Sequence, residues 1–248
     1  MEILVGCCGF CMAKIKYYQH FETVEIQKTF YQLIDEKLAK KWRKEAPENF
    51  EFTVKAFQGI THTLKSPTWK KCNLDKEYLS KIKDGIGYLR PAKHVFEFWD
   101  KTLKIAKILK SKIVVIQLPK SFKPTEENIK NAKDFLNSVT KRKVTIAIEL
   151  RGWDNRDKEK LMINKNITII GDVISEIPIP QKIVYLRLHG QNRNGKINYK
   201  YEYSNKELKE IVEYLINTKL DSYVMFNNIF MKRDAIKFKN IIQKVYQR

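Results

Sequence analysis

The chain has 248 residues, with 48 Lys and Arg against 28 Asp and Glu, a formal net charge of +20. Hydrophobic residues make up 43% and aromatics 12%, enough for a sizeable core, and nine glycines and seven prolines exclude a collagen-like or low-complexity chain. No window approaches the roughly 18 uninterrupted apolar residues of a membrane span, and Met1-Glu2-Ile3-Leu4-Val5-Gly6 lacks the basic-then-apolar pattern of a signal peptide, so no membrane association and a cytoplasmic location are expected.

Short apolar runs alternate with longer stretches of helical period. Glu2 to Gly6 reads as the first strand, Thr23 to Gln27 as the second and Phe50 to Ala56 as the third. Phe57 to Lys93 is irregular and reads as an extended rim segment. A helical stripe follows at Val95, Trp99, Leu103, Ala106 and Leu109, then a fourth strand at Ile113 to Leu118. Ile129, Ala132, Phe135, Leu136 and Val139 form the next stripe, followed by strands at Val144 to Arg151, Ile167 to Gly171 and Ile183 to His189. Ser204 with Glu207 forms a capping box ahead of Leu208, Ile211, Val212 and Leu215. Ser222 to Asn227 is the eighth strand, and Ala235, Phe238, Ile242 and Val245 stripe the last helix.

Eight strands alternating with helices over this length predict a single α/β domain, residues 1–248, folded as a (β/α)₈ TIM barrel. A doubly wound open sheet is the competing arrangement. No internal repeat, linker or composition shift argues for a second domain.

Strand side chains alternate between faces. The apolar set of each strand must meet the helices, which turns the other set inward. Val144, Ile146, Ile148 and Leu150 oppose Thr145, Ala147, Glu149 and Arg151, and Leu186 and Leu188 oppose Tyr185, Arg187 and His189. The inward set at strand ends is then Glu25, Lys55, Gln117, Glu149, Arg151, Arg187 and His189, with Asp172, Asn227 and Asn228 beside it. Barrel enzymes place their chemistry at these C-terminal ends. Ions there must pair or bind something. The bland alternative is an ionic plug in which Glu25, Glu149 and Asp172 satisfy Lys55, Arg151 and Arg187.

Cys7, Cys8 and Cys11 lie close together and Cys72 is distant. No repeated C-x-x-C pair marks a metal site. Buried or partly exposed thiols are expected, with a Cys11–Cys72 disulfide conceivable in a heat-adapted protein. His20 and His94 read as surface or capping residues, and Trp42 and Trp99 as packing residues.

Several segments together resemble the domain-of-unknown-function-72 (YecE-like) family along nearly the whole chain. They are Gly6-Cys7-Cys8-Gly9-Phe10, Phe21-Glu22-Thr23-Val24-Glu25-Ile26, Phe50 to Ala56 with Ile60-Thr61-His62, and Gln117-Leu118-Pro119. Ile148-Glu149-Leu150-Arg151 with Trp153, Tyr185 to Gly190, and Phe226-Asn227-Asn228 complete the set. The Cys-Cys-Gly-Phe opening and the Phe-Gln-Gly-Ile-Thr-His stretch are similar to archaeal members. The resemblance implies a TIM barrel and no established reaction.

Two classes of function compete. In the first, an enzyme acts on a small anionic or phosphate-bearing substrate, as a hydrolase or lyase. Lys55, Arg151 and Arg187 clamp the anion, and Gln117, Asn227, Asn228, His62 and Trp153 complete the substrate-binding set. Glu149 and His189, supported by Glu25, carry acid–base catalysis. One variant holds a single divalent metal on Glu25, Glu149, Asp172 and His189. In the second class the protein binds nucleic acid, or is a metal-dependent nuclease or hydrolase related to endonuclease IV-like barrels. The net charge and Tyr199, Tyr201 and Tyr203 beside Arg193, Lys196 and Lys200 favour it. Four histidines (His20, His62, His94, His189) are too few for a multi-zinc nuclease site.

Overall fold

The alternation of short β-branched runs with amphipathic stretches is realised throughout the computed structural model of the protein. It describes residues 1–140, 144–193 and 196–246, the side chains of 192, 193, 196 and 246 excepted. In chain order the elements are β1 (Ile3–Cys8), α1 (Lys14–His20), β2 (Thr23–Ile26), α2 (Lys28–Tyr31), α3 (Glu36–Glu45), β3 (Glu51–Lys55), α4 (Gln58–Thr61), α5 (Lys76–Ile82), α6 (Lys93–Ile108) and β4 (Ile113–Leu118). Then come α7 (Glu126–Val139), β5 (Thr145–Leu150), α8 (Asn155–Glu159), β6 (Ile167–Ile169), β7 (Ile183–Leu188), β8 (Gln191–Arg193), β9 (Lys196–Asn198), α9 (Asn205–Thr218), β10 (Asp221–Phe226) and α10 (Met231–Tyr246).

Eight strands form one sheet in the order β6-β5-β4-β3-β2-β1-β10-β7, and Gly171, just past β6, bridges in parallel to Leu186 of β7. The end strands therefore meet, which is the strand order of a near-closed (β/α)₈ barrel. The expected strands are all present, with ends shifted by one or two residues. The antiparallel hairpin of β8 and β9 was not expected from the sequence. Its strands are three residues each, too short to carry an alternation signal.

Contacts group the chain into two compact units, one of Met1–Glu25, Ala46–Glu51 and Thr168–Arg248, the other of Ile26–Glu45 and Phe52–Ile167.

In the first unit, β1 pairs in parallel with β10, and β10 with β7. Val5, Val184, Leu186, Val224 and Phe226 are buried along these strands. Leu208, Ile211, Val212 and Leu215 of α9 are buried as the stripe predicts, behind a capping box in which Ser204 and Glu207 satisfy each other's backbone amides. Each such side chain contributes about 1.5–3 kcal/mol relative to exposure. On α10, Ala235 and Phe238 are buried but Val245 is 40% exposed, so the stripe stops short of the helix end. Gly6 permits a close approach in β1: a Cβ there would stand 2.0 Å from the carbonyl oxygen of Thr23.

In the second unit, every residue of β4 is buried, and its register to β5 sets Gln117 opposite Glu149. Helix α6 buries Val95, Phe98, Trp99, Thr102, Ile105 and Ala106. Four of the five expected stripe residues, Val95, Trp99, Ala106 and Leu109, are buried; Leu103 is half-buried, and the buried face widens to take in Phe98, Thr102 and Ile105. Phe98 and Ile105 win the inner face because they lie four and three residues from Thr102, whose hydroxyl donates to the Phe98 carbonyl instead of needing water. On α7, Ala132, Phe135, Leu136 and Val139 are buried, whereas Ile129 is half-buried. The rim segment 57–93 contains α4, α5 and two short 3₁₀ turns, Pro67–Lys71 and Lys83–Gly85. Its second half turns sharply: Gly87, Tyr88 and Leu89 have φ of 79°, 57° and 53°. Their amides donate to the carbonyls of Gly59, Thr61 and Ile60, closing the C-terminal end of α4. Left-handed Tyr and Leu residues persist only where the surroundings over-determine them, a hallmark of functional loops.

Candidate functional site

In the second unit, β3, β4 and β5 carry polar side chains at their last or next-to-last positions, Lys55, Gln117 and Glu149. Lys55, the last residue of β3, is buried, and its ammonium donates to Gln117 Oε1 at 2.7 Å and Gln27 Oε1 at 3.5 Å. It also sits 4.0 Å from the centroid of the Phe30 ring, a cation–π contact. Glu149 accepts from Arg151 Nε at 2.5 Å. Arg151 keeps 30% side-chain exposure, against 9% for Glu149.

His62 follows α4 directly. Its Nδ1 meets Thr61 Oγ1 at 2.7 Å and its ring packs edge-on against Phe30 at 5.0 Å. Burial, then the positive charges of Lys55 and Arg151, push its imidazole down to about 3. The ring is thus neutral at any physiological pH, and the three residues share one electrostatic neighbourhood. Trp153 has another task. Its indole donates to the Phe122 carbonyl at 2.6 Å and its ring stacks on Phe122. Phe30 and the left-handed turn at 87–89 were missed by parity reasoning because they lie outside the expected strands, whereas Gln27, at the end of the expected second strand and just past the observed one, shares the parity of Glu25 but was not counted in the site.

The first unit holds a different set. Glu25 and Arg187 form a buried ion pair, and Tyr185 donates its hydroxyl to Glu25 at 3.0 Å. This part matches the ionic-plug alternative: neither group is presented to solvent. His189 Nδ1 lies 3.0 Å from the Asn227 side-chain amide nitrogen. Tyr199 packs edge-on against His189 at 5.9 Å. Asp172 accepts from the Ser175 and Glu176 amides at 2.6 and 2.9 Å, and burial nonetheless raises its pKa. Asn228 points elsewhere. It donates to the Tyr201 carbonyl at 2.8 Å and to Asp234 Oδ2 at 2.6 Å, tying the start of α10 to the segment before α9.

Two expectations are corrected. First, no three His, Cys, Asp or Glu residues come together as a metal-binding group among the described residues. The set Glu25, Glu149, Asp172 and His189 therefore does not fit a divalent ion; Glu25 is held by Arg187 and Tyr185, and Asp172 by turn amides. Second, the tyrosines are not an exposed stacking row. Tyr203 is 2% exposed with its hydroxyl on Gly190, and Tyr201 donates to Glu207, leaving Tyr199 at 40% exposure. The Arg193 and Lys196 side chains of that reading lie outside the described residues. All four cysteines are free and buried or partly exposed, as expected, and the thiol that interacts with Cys11 is Cys7 rather than Cys72. Trp42 and Trp99 are buried, as packing residues should be, while His20 is exposed and His94 meets Glu97 at 3.2 Å.

A family model described as "Protein of unknown function DUF72" matches residues 14–247. The chain belongs to the DUF72 family. It is 25% identical over 240 residues to the UPF0759 protein YunF of Bacillus subtilis (strain 168), covering 86% of this chain and 79% of that protein. A DUF72 family protein from Enterococcus faecalis V583 aligns with a TM-score of 0.71 at 21% identity, over 98% of each chain. Two further solved structures share the barrel fold. A D-tagatose 3-epimerase-like protein aligns at TM-score 0.60 and 17% identity, over 100% of this chain and 97% of the other. Endonuclease IV from Thermus thermophilus aligns at TM-score 0.57 and 8% identity, over the full length of both. At such identities the likeness is one of fold, and the DUF72 chain's substrate is open. No helix among its described residues is long and apolar enough to cross a membrane.

Proposed function

We propose that this DUF72 protein is an enzyme for a small substrate bearing a phosphate or carboxylate, bound at the ends of β3, β4 and β5. The observation that carries this reading is the convergence of the Lys55 and Arg151 charges on a buried, neutral His62. Two cations against the carboxylate of Glu149 make a cluster suited to an anion, and a guanidinium fork matches a planar carboxylate or two phosphate oxygens. The neutral imidazole adds a hydrogen-bonding group that brings no counter-charge. Glu149, held by Arg151, is the group assigned to move a proton, since a carboxylate at a strand end within reach of a bound anion is placed for general base work. Sugars and sugar phosphates, which the fold likeness to an epimerase-like protein suggests, are the first ligands to screen.

The test is thermal shift of the full chain with inorganic phosphate and a panel of phosphorylated sugars and short carboxylates. Stabilisation of the wild type that Arg151→Ala loses and Glu149→Gln keeps supports the assignment. Equal shifts in wild type and Arg151→Ala overturn it. A salt-sensitive gel shift with duplex DNA that survives Arg151→Ala would move the reading to the nucleic-acid class.

A further inference from the structure

The sequence Gly6-Cys7-Cys8-Gly9-Phe10-Cys11 puts three thiols at the C-terminal end of β1, and the acid–base site has no use for them. Cys7 is the least accessible. Its side chain is fully buried, its amide donates to the Tyr17 hydroxyl at 2.7 Å, and its sulfur lies 3.8 Å from the Met231 carbonyl oxygen at the start of α10. Directly after the strand the chain reverses: Gly9 adopts φ 99° and its amide donates back to the Cys7 carbonyl at 3.0 Å. That turn returns Cys11, which is half-buried, toward Cys7, so that each thiol influences the ionisation of the other.

We propose that Cys7 and Cys11 are a redox-active pair, which a hydroperoxide closes to a reversible disulfide. The two members differ in the way such chemistry needs. The interaction with Cys7 and the charge of Lys232 favour the thiolate of Cys11, against the cost of its burial. Cys7, interacting with Cys11, desolvated and beside Cys8, is held protonated. The accessible sulfur is thus the nucleophile and the buried one the resolving thiol. In the first step the Cys11 thiolate attacks a peroxide oxygen; an S–O bond forms, the O–O bond breaks, and the leaving hydroxide takes a proton to become water (or an alcohol). In the second, Cys7 sulfur attacks the sulfenic sulfur of Cys11. The S–S bond forms, the S–O bond breaks, and the Cys7 proton leaves with hydroxide as a second water. One peroxide is reduced by two electrons and two thiols are oxidised. The loop between the two thiols hinges on Gly9, whose positive φ (99°) a glycine adopts without strain, so closure demands only a local change of that loop. Disulfides that form in reducing compartments are characteristically sensors of this kind.

The experiment treats the full-length protein with hydrogen peroxide and follows it by intact mass and by chymotryptic mapping without reductant. Cleavage after Phe10 separates Cys11 from Cys7 and Cys8. The expected result is loss of two hydrogens, pieces joined across that cleavage, and full reversal by dithiothreitol. Cys8→Ser should keep the link and Cys11→Ser should reduce it to background. Cys7→Ser should stop at a sulfenic acid on Cys11, captured by dimedone. Should Cys7→Ser fail to fold, the Cys8→Ser and Cys11→Ser pair decides. Unlinked pieces after oxidation, a link that Cys8→Ser abolishes, or a link that runs to Cys72 would each overturn the proposal.

Discussion

Arg187 Nη2 lies 3.1 Å from Glu25 Oε1, at 1% and 0% side-chain exposure, although 162 residues of sequence separate the two. Two charges so deep in a protein are stable only as a unit, because each alone would lose its hydration without compensation. Arg187→Met or Glu25→Gln is therefore expected to destabilise by about 3–5 kcal/mol. The double change Arg187→Met with Glu25→Leu should recover much of that loss. Urea denaturation measures all three. Single variants within about 1 kcal/mol of wild type would mean that the pair is not the internal anchor it resembles.

His62 makes a pH prediction. Its folded-state pKa is pushed from 6.5 down to about 3. Below pH 6.5 the unfolded chain takes up a proton that the folded chain refuses. The stabilising contribution is thus complete above pH 6.5 and is lost as pH falls toward 3, with about 2 kcal/mol gone by pH 5. His62→Phe keeps the ring against Phe30 and cannot take up that proton. The stability difference between wild type and this variant should shift by that amount between pH 7 and pH 5. Asp172 and Asp234, whose raised pKa values act in the opposite sense, are common to both proteins and cancel. A difference independent of pH would disprove the neutral, buried imidazole.

Asn228 was expected to bind substrate, and its amide instead serves Asp234 and the Tyr201 carbonyl. Asn228→Ala leaves the Asp234 carboxylate without this donor in a buried setting. A stability loss of about 1–3 kcal/mol is expected, with ligand affinity per folded molecule unchanged. Thermal melts combined with ligand titration separate the two effects, and an affinity loss without a stability loss would restore the substrate-binding role.

Gly6→Ala should be far more damaging than a methyl group suggests. The new Cβ would lie 2.0 Å from the Thr23 carbonyl oxygen, a backbone atom engaged by the Tyr17 hydroxyl. Strands β1 and β2 would have to part, which exceeds the usual overpacking cost of about 1–3 kcal/mol. Soluble yield and urea midpoint report the outcome. A variant of wild-type stability would show that the strands can separate without penalty.

Much of the barrel is legible in one dimension. The alternation in β5 marks Glu149 by period alone, since successive side chains in a strand must take opposite faces. The Ser204–Glu207 box is equally local, because both partners sit within one helical turn. What fails is whatever depends on a partner far along the chain. Parity turns Arg187 inward but is silent on whether it meets a ligand or Glu25. Tyr203 resembles an exposed aromatic in a polar loop until Gly190 supplies both a donor and an acceptor for its hydroxyl. The stripe of α6 holds at Val95, Trp99, Ala106 and Leu109, but its extension over Thr102 was missed: Thr102 reads as polar, yet it satisfies its own hydroxyl on the helix and can be buried.

The sequence alone thus determined the fold class and the strand positions, because periodicity and capping are short-range properties of the chain. Only the tertiary structure decided how the polar groups at the strand ends divide. It joined Glu25 to Arg187 in the interior and held Asn228 on Asp234. It gathered Lys55, Arg151 and His62 into one electrostatic neighbourhood, and folded Cys11 back toward Cys7. The physical reason is that desolvation and Coulomb energies depend on distances in space, and spacing along the chain does not encode these distances.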